Sequence, residues 1–212
     1  MSAAERVPAP PVPLKCNNCV LPRGTILHRI HDRQFGSLTF NPGLGNSRFA
    51  PFSVSGTSIP TAYFATSLDC AIFETLFHEI EPDAPFKFVR WSAIERLICS
   101  EITLETDVQL ASLFSADLLK WGIARNQLID TPKSTYRQTR AWSPALHGAP
   151  GAPAGMIWTS RKFDEEKALI LFGDRIPVNA LSTARSSAIV SDPALLGAVQ
   201  QLAKRAGIDI IR

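Results

Sequence analysis

The chain has 212 residues, 45% of them hydrophobic, and a formal net charge of +3. That length and apolar fraction suffice to bury the core of one globular domain. The positive charge is spread without any Lys/Arg run, which speaks against direct nucleic-acid or membrane-surface binding, and no apolar stretch approaches the ~20 residues of a membrane span.

Residues 1 to about 15 are rich in Pro and Ala and predict an extended arm outside the core, because each Pro fixes its backbone and removes a donor. Val7-Pro-Ala-Pro-Pro-Val-Pro13 lacks the apolar centre of a signal peptide, so a cytoplasmic protein is expected. Cys16 and Cys19 form a CxxC pair, but no second pair follows to complete a metal site. With Cys70 and Cys99 they read as reduced, structural thiols, and no metal is expected. The expected division is an arm over 1–23 and a single domain over 24–212.

Gly24 to His31 alternates as a strand, with Ile26, His28 and Ile30 on one face and Leu27, Arg29 and His31 on the other. It reads either as an edge strand with a wet polar face or as the floor of an anion pocket. Phe40 to Pro51 is a loop dense in Gly, Pro and Asn. Its backbone N–H groups and the Arg48 fork suit a phosphate, although neither a dinucleotide fingerprint nor a P-loop is present.

Thr61 to Ala65 is a short β-prone segment that runs into a helix, capped at Thr66 and reaching Ile80. Leu68, Ala71, Ile72, Leu76 and Ile80 recur at helical spacing, and Phe73 and Phe77 widen the stripe. Glu74 therefore sits one step off an apolar face, where a carboxylate needs a structural partner or serves a ligand. His78, four residues on, reads either as its helical pair or, as is commoner, as a surface histidine.

Further along, Phe86–Trp91 predicts a strand and Arg96–Leu104 one or two more. Ala116–Gly122 reads as a short helix ended by glycine, and Ser134–His147 as a helix bent near Pro144. After an exposed loop over 148–155 come strands at Met156–Ser160 and Lys167–Phe172, the second apolar enough to be central. Asp192 caps a last helix from Pro193 to about Ala206. Single strands and separated helices together predict an α+β fold.

Three features stand apart: Arg29 on a strand, Glu74 on the helix after the Tyr63 strand, and Ser160 at a strand end. With Leu27-His-Arg-Ile-His31, Phe40-Asn-Pro-Gly43, Asn46-Ser-Arg-Phe-Ala-Pro51, Ala62–Ser67, Ala71–Leu76 and Ile157-Trp-Thr-Ser-Arg161, their order resembles the RES domain family over roughly residues 24 to 175. The resemblance implies a compact mixed-sheet core with flanking helices, related to ADP-ribosyltransferases and acting on NAD. It implies a bacterial toxin held by an antitoxin protein, degrading NAD by phosphorolysis, with inorganic phosphate as co-substrate, or by hydrolysis. Transfer of ADP-ribose to a protein stays open, as does a binding protein without catalysis or a homo-oligomer. On this reading Arg29, Glu74 and Ser160 are the catalytic set, and Arg29, Arg48, Tyr63 and Glu74 bind NAD. The two arginines would fork the pyrophosphate, Tyr63 would stack on a ring, and Glu74 would hold the ribose and oppose its developing positive charge. Ser160 would orient, or would contact the nicotinamide amide or an incoming phosphate, since no general base or strand-turn-helix elbow marks it as a nucleophile.

Overall fold

The computed structural model describes residues 7–212. Its elements, in chain order, begin with β1 (Asn18–Leu21), β2 (Ile26–Asp32), the two-residue strands β3 (Ser53–Val54) and β4 (Thr57–Ser58), and β5 (Thr61–Ala65). Helix α1 (Leu68–Ile72) continues into a π-helical turn, Phe73–Phe77. There follow β6 (Phe88–Arg90), α2 (Trp91–Ile94), β7 (Leu97–Leu104), β8 (Val108–Ser112), α3 (Ser115–Leu119), α4 (Tyr136–Thr139) and α5 (Trp142–His147). The chain closes with β9 (Gly155–Thr159), β10 (Lys167–Phe172), β11 (Leu181–Ala188), α6 (Pro193–Arg205) and β12 (Asp209–Ile211).

Eight strands form one curled, mixed sheet in the order β1-β8-β9-β10-β5-β2-β7-β11, and helices flank it, as an α+β fold requires. β10 lies inside the sheet, as its apolar run predicts. Its Ala168, Ile170 and Phe172 enter one core with Phe49, Trp142 and Trp158. Leu169 and Leu171 enter another, on the opposite face, with Leu27, Phe64 and Ile102. A third core gathers Ile72, Phe77, Phe163 and Val199 where α1 meets α6. Asp192 caps α6 as expected, accepting from the N–H groups of Ala194 and Leu195. Among the described residues no helix is long and apolar enough to cross a membrane.

One junction in this sheet positions the site. β2 and β5 share a single paired position, His28 opposite Ala65, whereas β2 pairs with β7 along its whole length. The two halves of the sheet therefore part at β2 and β5, and a cleft opens between them.

Several local expectations are corrected. The helix cap is Ser67, whose Oγ accepts from Cys70 N, while Thr66 Oγ1 donates to Glu166. The Pro-rich segment is no free arm where it is described: Val7 and Leu14 are buried, Trp142 Nε1 donates to Pro8 O, and β1 pairs with β8. Residues 1–6 of that expected arm lie outside the described residues. Composition misleads here because a Pro-rich chain can still bury the apolar residues between its prolines. Cys16 packs toward the Trp142 core and Cys19 toward the Leu27 core, on opposite faces of the sheet. In extended chain their Cα atoms are ~10 Å apart, beyond the reach of a disulfide.

Gly155 stands where the backbone of β10 leaves no room for a side chain. A Cβ there would lie 2.0 Å from Ile170 O on β10. Gly155→Ala is expected to destabilise the fold by about 1–3 kcal/mol through overpacking, a fall of several degrees in melting temperature. An unchanged thermal transition would mean that β9 and β10 separate at no cost.

Candidate active site

A cavity of about 270 Å³ occupies the cleft where β2 and β5 part, small for a ligand pocket and therefore suited to part of a larger molecule. Its wall carries one carboxylate, Glu74, against four cationic side chains, Arg29, Arg48, Arg161 and Lys162. Tyr63, Tyr136 and Trp158 supply aromatic surface. A partly apolar, cation-rich cleft favours an anionic ligand that also carries flat rings.

Glu74 stands in the π turn, the kind of local irregularity that often marks functional sites. Ser160, fully buried at the end of β9, donates its Oγ–H to Glu74 Oε1 at 2.5 Å. The Arg161 backbone N–H donates to the same oxygen at 3.3 Å. Oε2 has no hydrogen bond or ion pair among the described residues, so one oxygen is fixed and the other is free for a ligand. Ser160 Oγ in turn accepts from Phe163 N at 3.0 Å and Lys162 N at 3.3 Å. Its proton and acceptor capacity are thereby engaged, which suits an orienting role. The Glu74–His78 pair that the spacing allows does not form. His78 turns away in the wide turn, its Nδ1 3.2 Å from Thr75 O and its Nε2 3.5 Å from Glu79.

Both predicted arginines border the cavity, yet their forks face protein oxygens. Arg29 donates from Nη1 to Ser37 O at 2.7 Å and from Nη2 to Thr39 O at 2.8 Å, with its guanidinium over Phe64. Burial pulls its pKa down to about 10, which still leaves it charged at neutral pH. Arg48 donates from Nη1 to Leu128 O and Thr131 Oγ1 and from Nη2 to Thr131 O, and lies over the Tyr136 ring. Tyr63 anchors the Arg48 loop: its hydroxyl accepts from Phe49 N at 3.2 Å and shares a 2.9 Å bond with Ser47 Oγ. Burial raises that phenol to about 12, so it stays neutral.

The cysteine beside the carboxylate is no nucleophile. Burial, and then the nearby charge of Glu74, push the Cys70 thiol up to about 12. His28 lines the cavity with its Nδ1 buried and unpartnered among the described residues. Burial lowers its pKa, against the opposing charges of Glu101 and Asp69. His31 and His147 are engaged elsewhere, with Ser100 and Asp174 respectively. Among the described residues no three His, Cys, Asp or Glu side chains gather as a metal set.

Arg161 and Lys162 also line the cavity, and Arg161 ends the motif that contains Ser160. Their one signal in the sequence is two adjacent cations just after a strand-end serine.

The family model described as RES domain matches residues 26–191. The fold is similar to that of a chain in the crystal structure of the M. tuberculosis MbcT–MbcA toxin–antitoxin complex. That match covers 87% of this chain and 92% of the other, at 16% identity and a TM-score of 0.59. No curated protein matches the chain in sequence.

Proposed function

This chain belongs to the RES domain family, and we propose from the geometry of its cleft that it degrades NAD by breaking the nicotinamide–ribose bond. The observation that carries the reading is Glu74, with Oε1 held by Ser160 and Arg161 and Oε2 free, as the lone carboxylate on a cationic wall. Departure of nicotinamide leaves positive charge on the ribosyl ring. A carboxylate already fixed beside that ring stabilises the charge without reorganising, as in other oxocarbenium-like cleavages.

In this reading Ser160 holds the catalytic carboxylate, and Tyr63 offers a half-buried ring to a base or to nicotinamide. Arg29 and Arg48 attract the pyrophosphate by charge while their forks brace the loops around it. Water or inorganic phosphate then attacks the ribosyl cation. We propose further that the protein acts as a toxin restrained by a protein antitoxin, as the M. tuberculosis neighbour belongs to a toxin–antitoxin complex.

The test is product analysis after incubating the pure protein with NAD, with and without phosphate. Nicotinamide plus ADP-ribose is expected for hydrolysis, and nicotinamide plus ADP-ribose-1″-phosphate for phosphorolysis. ADP-ribose attached to protein would make the enzyme a transferase. No product under any condition would overturn the catalytic reading in favour of a binding role.

A further inference from the structure

The cleft carries more positive charge than its one carboxylate, Glu74, balances. Both Nη atoms of Arg29 and of Arg48 already donate to protein oxygens. Arg161 differs: Nη1 donates to Thr131 O at 3.1 Å, while Nη2 has only Glu81 Oε2 at 3.9 Å, beyond hydrogen-bond range. Its Nε and Nη2 thus keep unmatched N–H groups among the described residues. Lys162 Nζ makes one bond, to Ile80 O at 2.6 Å, leaving two of its three ammonium hydrogens unmatched.

These cations crowd one another. Arg48 Nη2 and Arg161 Nη1 share the same acceptor, Thr131 O. Lys162 is lowered first by burial and then by the charge of Arg161, against weaker opposing effects from Glu81 and Glu74. Arg48 is lowered mainly by burial, and Arg161 adds to the lowering. Like charges held together in a partly desolvated wall oppose folding unless an anion joins them.

Resting on the reading of the cleft as an NAD site, we propose that Arg161 and Lys162 are the residues that grip the pyrophosphate, with Arg29 and Arg48 as braces behind them. A pyrophosphate offers two negative charges and oxygens enough for a guanidinium edge and an ammonium together. The arrangement also explains why the pair follows Ser160 directly. The turn in which Ser160 Oγ accepts from Lys162 N and Phe163 N is the one that orients Glu74. One turn therefore sets the distance between the anion grip and the carboxylate that faces the ribose.

The probe is inorganic pyrophosphate, titrated calorimetrically into the full chain and needing no turnover. Wild type is expected to bind it. Arg161→Gln and Lys162→Gln should each weaken binding roughly tenfold or more, and Lys162→Arg should restore most of the loss. Lys162→Gln gives up a single hydrogen bond, to Ile80 O, so that variant decides the matter if Arg161→Gln fails to fold. In NAD assays the same variants should raise KM more than they lower kcat, whereas a merely structural role would lower the melting temperature and leave KM alone. Wild type that ignores pyrophosphate at millimolar concentration, or variants that bind it as wild type does, would overturn the assignment. If pyrophosphate binding depends on both residues but NAD is never cleaved, the catalytic reading falls and the anion site stands. If NAD is cleaved with wild-type KM in both variants, this assignment falls and the catalytic reading stands.

Discussion

Glu74→Gln is expected to lower kcat for NAD cleavage about a hundredfold to a thousandfold, the effect of losing roughly 3–4 kcal/mol of transition-state stabilisation. The substitution is conservative in shape. A glutamine carbonyl can still accept from Ser160 Oγ and Arg161 N, the two donors that fix Oε1. What it removes is the negative charge on the side that carries Oε2. Stability should change little, because the carboxylate makes no ion pair among the described residues whose loss would be felt. Single-turnover measurements at saturating NAD, with thermal unfolding alongside, separate the two effects. In cells, induced wild-type protein should lower NAD and arrest bacterial growth, and the Gln variant should do neither. Normal turnover by Glu74→Gln would remove this residue from the chemistry and the proposed mechanism with it.

Ser160→Ala is the second large effect, and it differs in kind. Ser160 is fully buried and joins three partners: it donates to Glu74 and accepts from Lys162 N and Phe163 N. Truncation leaves two amide donors without their acceptor and frees the carboxylate to rotate. Stability is expected to fall by about 1–3 kcal/mol, the range for an unsatisfied buried donor. Turnover should fall up to about a hundredfold, because a carboxylate displaced by ~1 Å loses its alignment with the ribose. If Ser160 acts only by positioning Glu74, the double variant with Glu74→Gln should be scarcely slower than Glu74→Gln alone. Additive losses in that cycle would mean that Ser160 meets substrate directly.

The sequence and the structure agree most closely where the information is local. The apolar stripe from Leu68 to Ile80 predicts a buried helical segment; the chain is helical only as far as Phe77, and the stripe packs against one core. The continuous run Ala168–Phe172 predicts an interior strand, and the Asp192-Pro193 pair predicts a helix start. Each signal is carried by neighbours along the chain, so it survives without knowledge of anything distant.

Elements held by distant partners were not legible. β11 reads Leu181-Ser-Thr-Ala-Arg-Ser-Ser-Ala188, polar and small, with no apolar alternation to announce a strand. It is a strand because β7 supplies its hydrogen bonds, with an irregularity between Thr183 and Arg185. The Pro-rich segment reads as solvent-exposed, yet the Trp142 core encloses Val7 and Leu14.

The same division runs through the site. By itself the sequence determined the family resemblance, the α+β class and the residue types available: a carboxylate beside an apolar stripe, arginines on a strand and a loop, and a serine ending a strand. Only the tertiary structure decided which groups each one touches. Ser160 meets Glu74 across 86 residues of chain, and Arg48 meets Thr131 across 83. The π turn sends His78 away from Glu74, and the parting of β2 from β5 opens the cleft. The arginine forks that composition offers to a ligand turn instead to carbonyls of Ser37, Thr39, Leu128 and Thr131. The physical reason is common to all of these. Periodicity along the chain encodes which side of an element is buried, whereas the partner of a polar group is set by which distant backbone the packed core brings within about 3 Å of it.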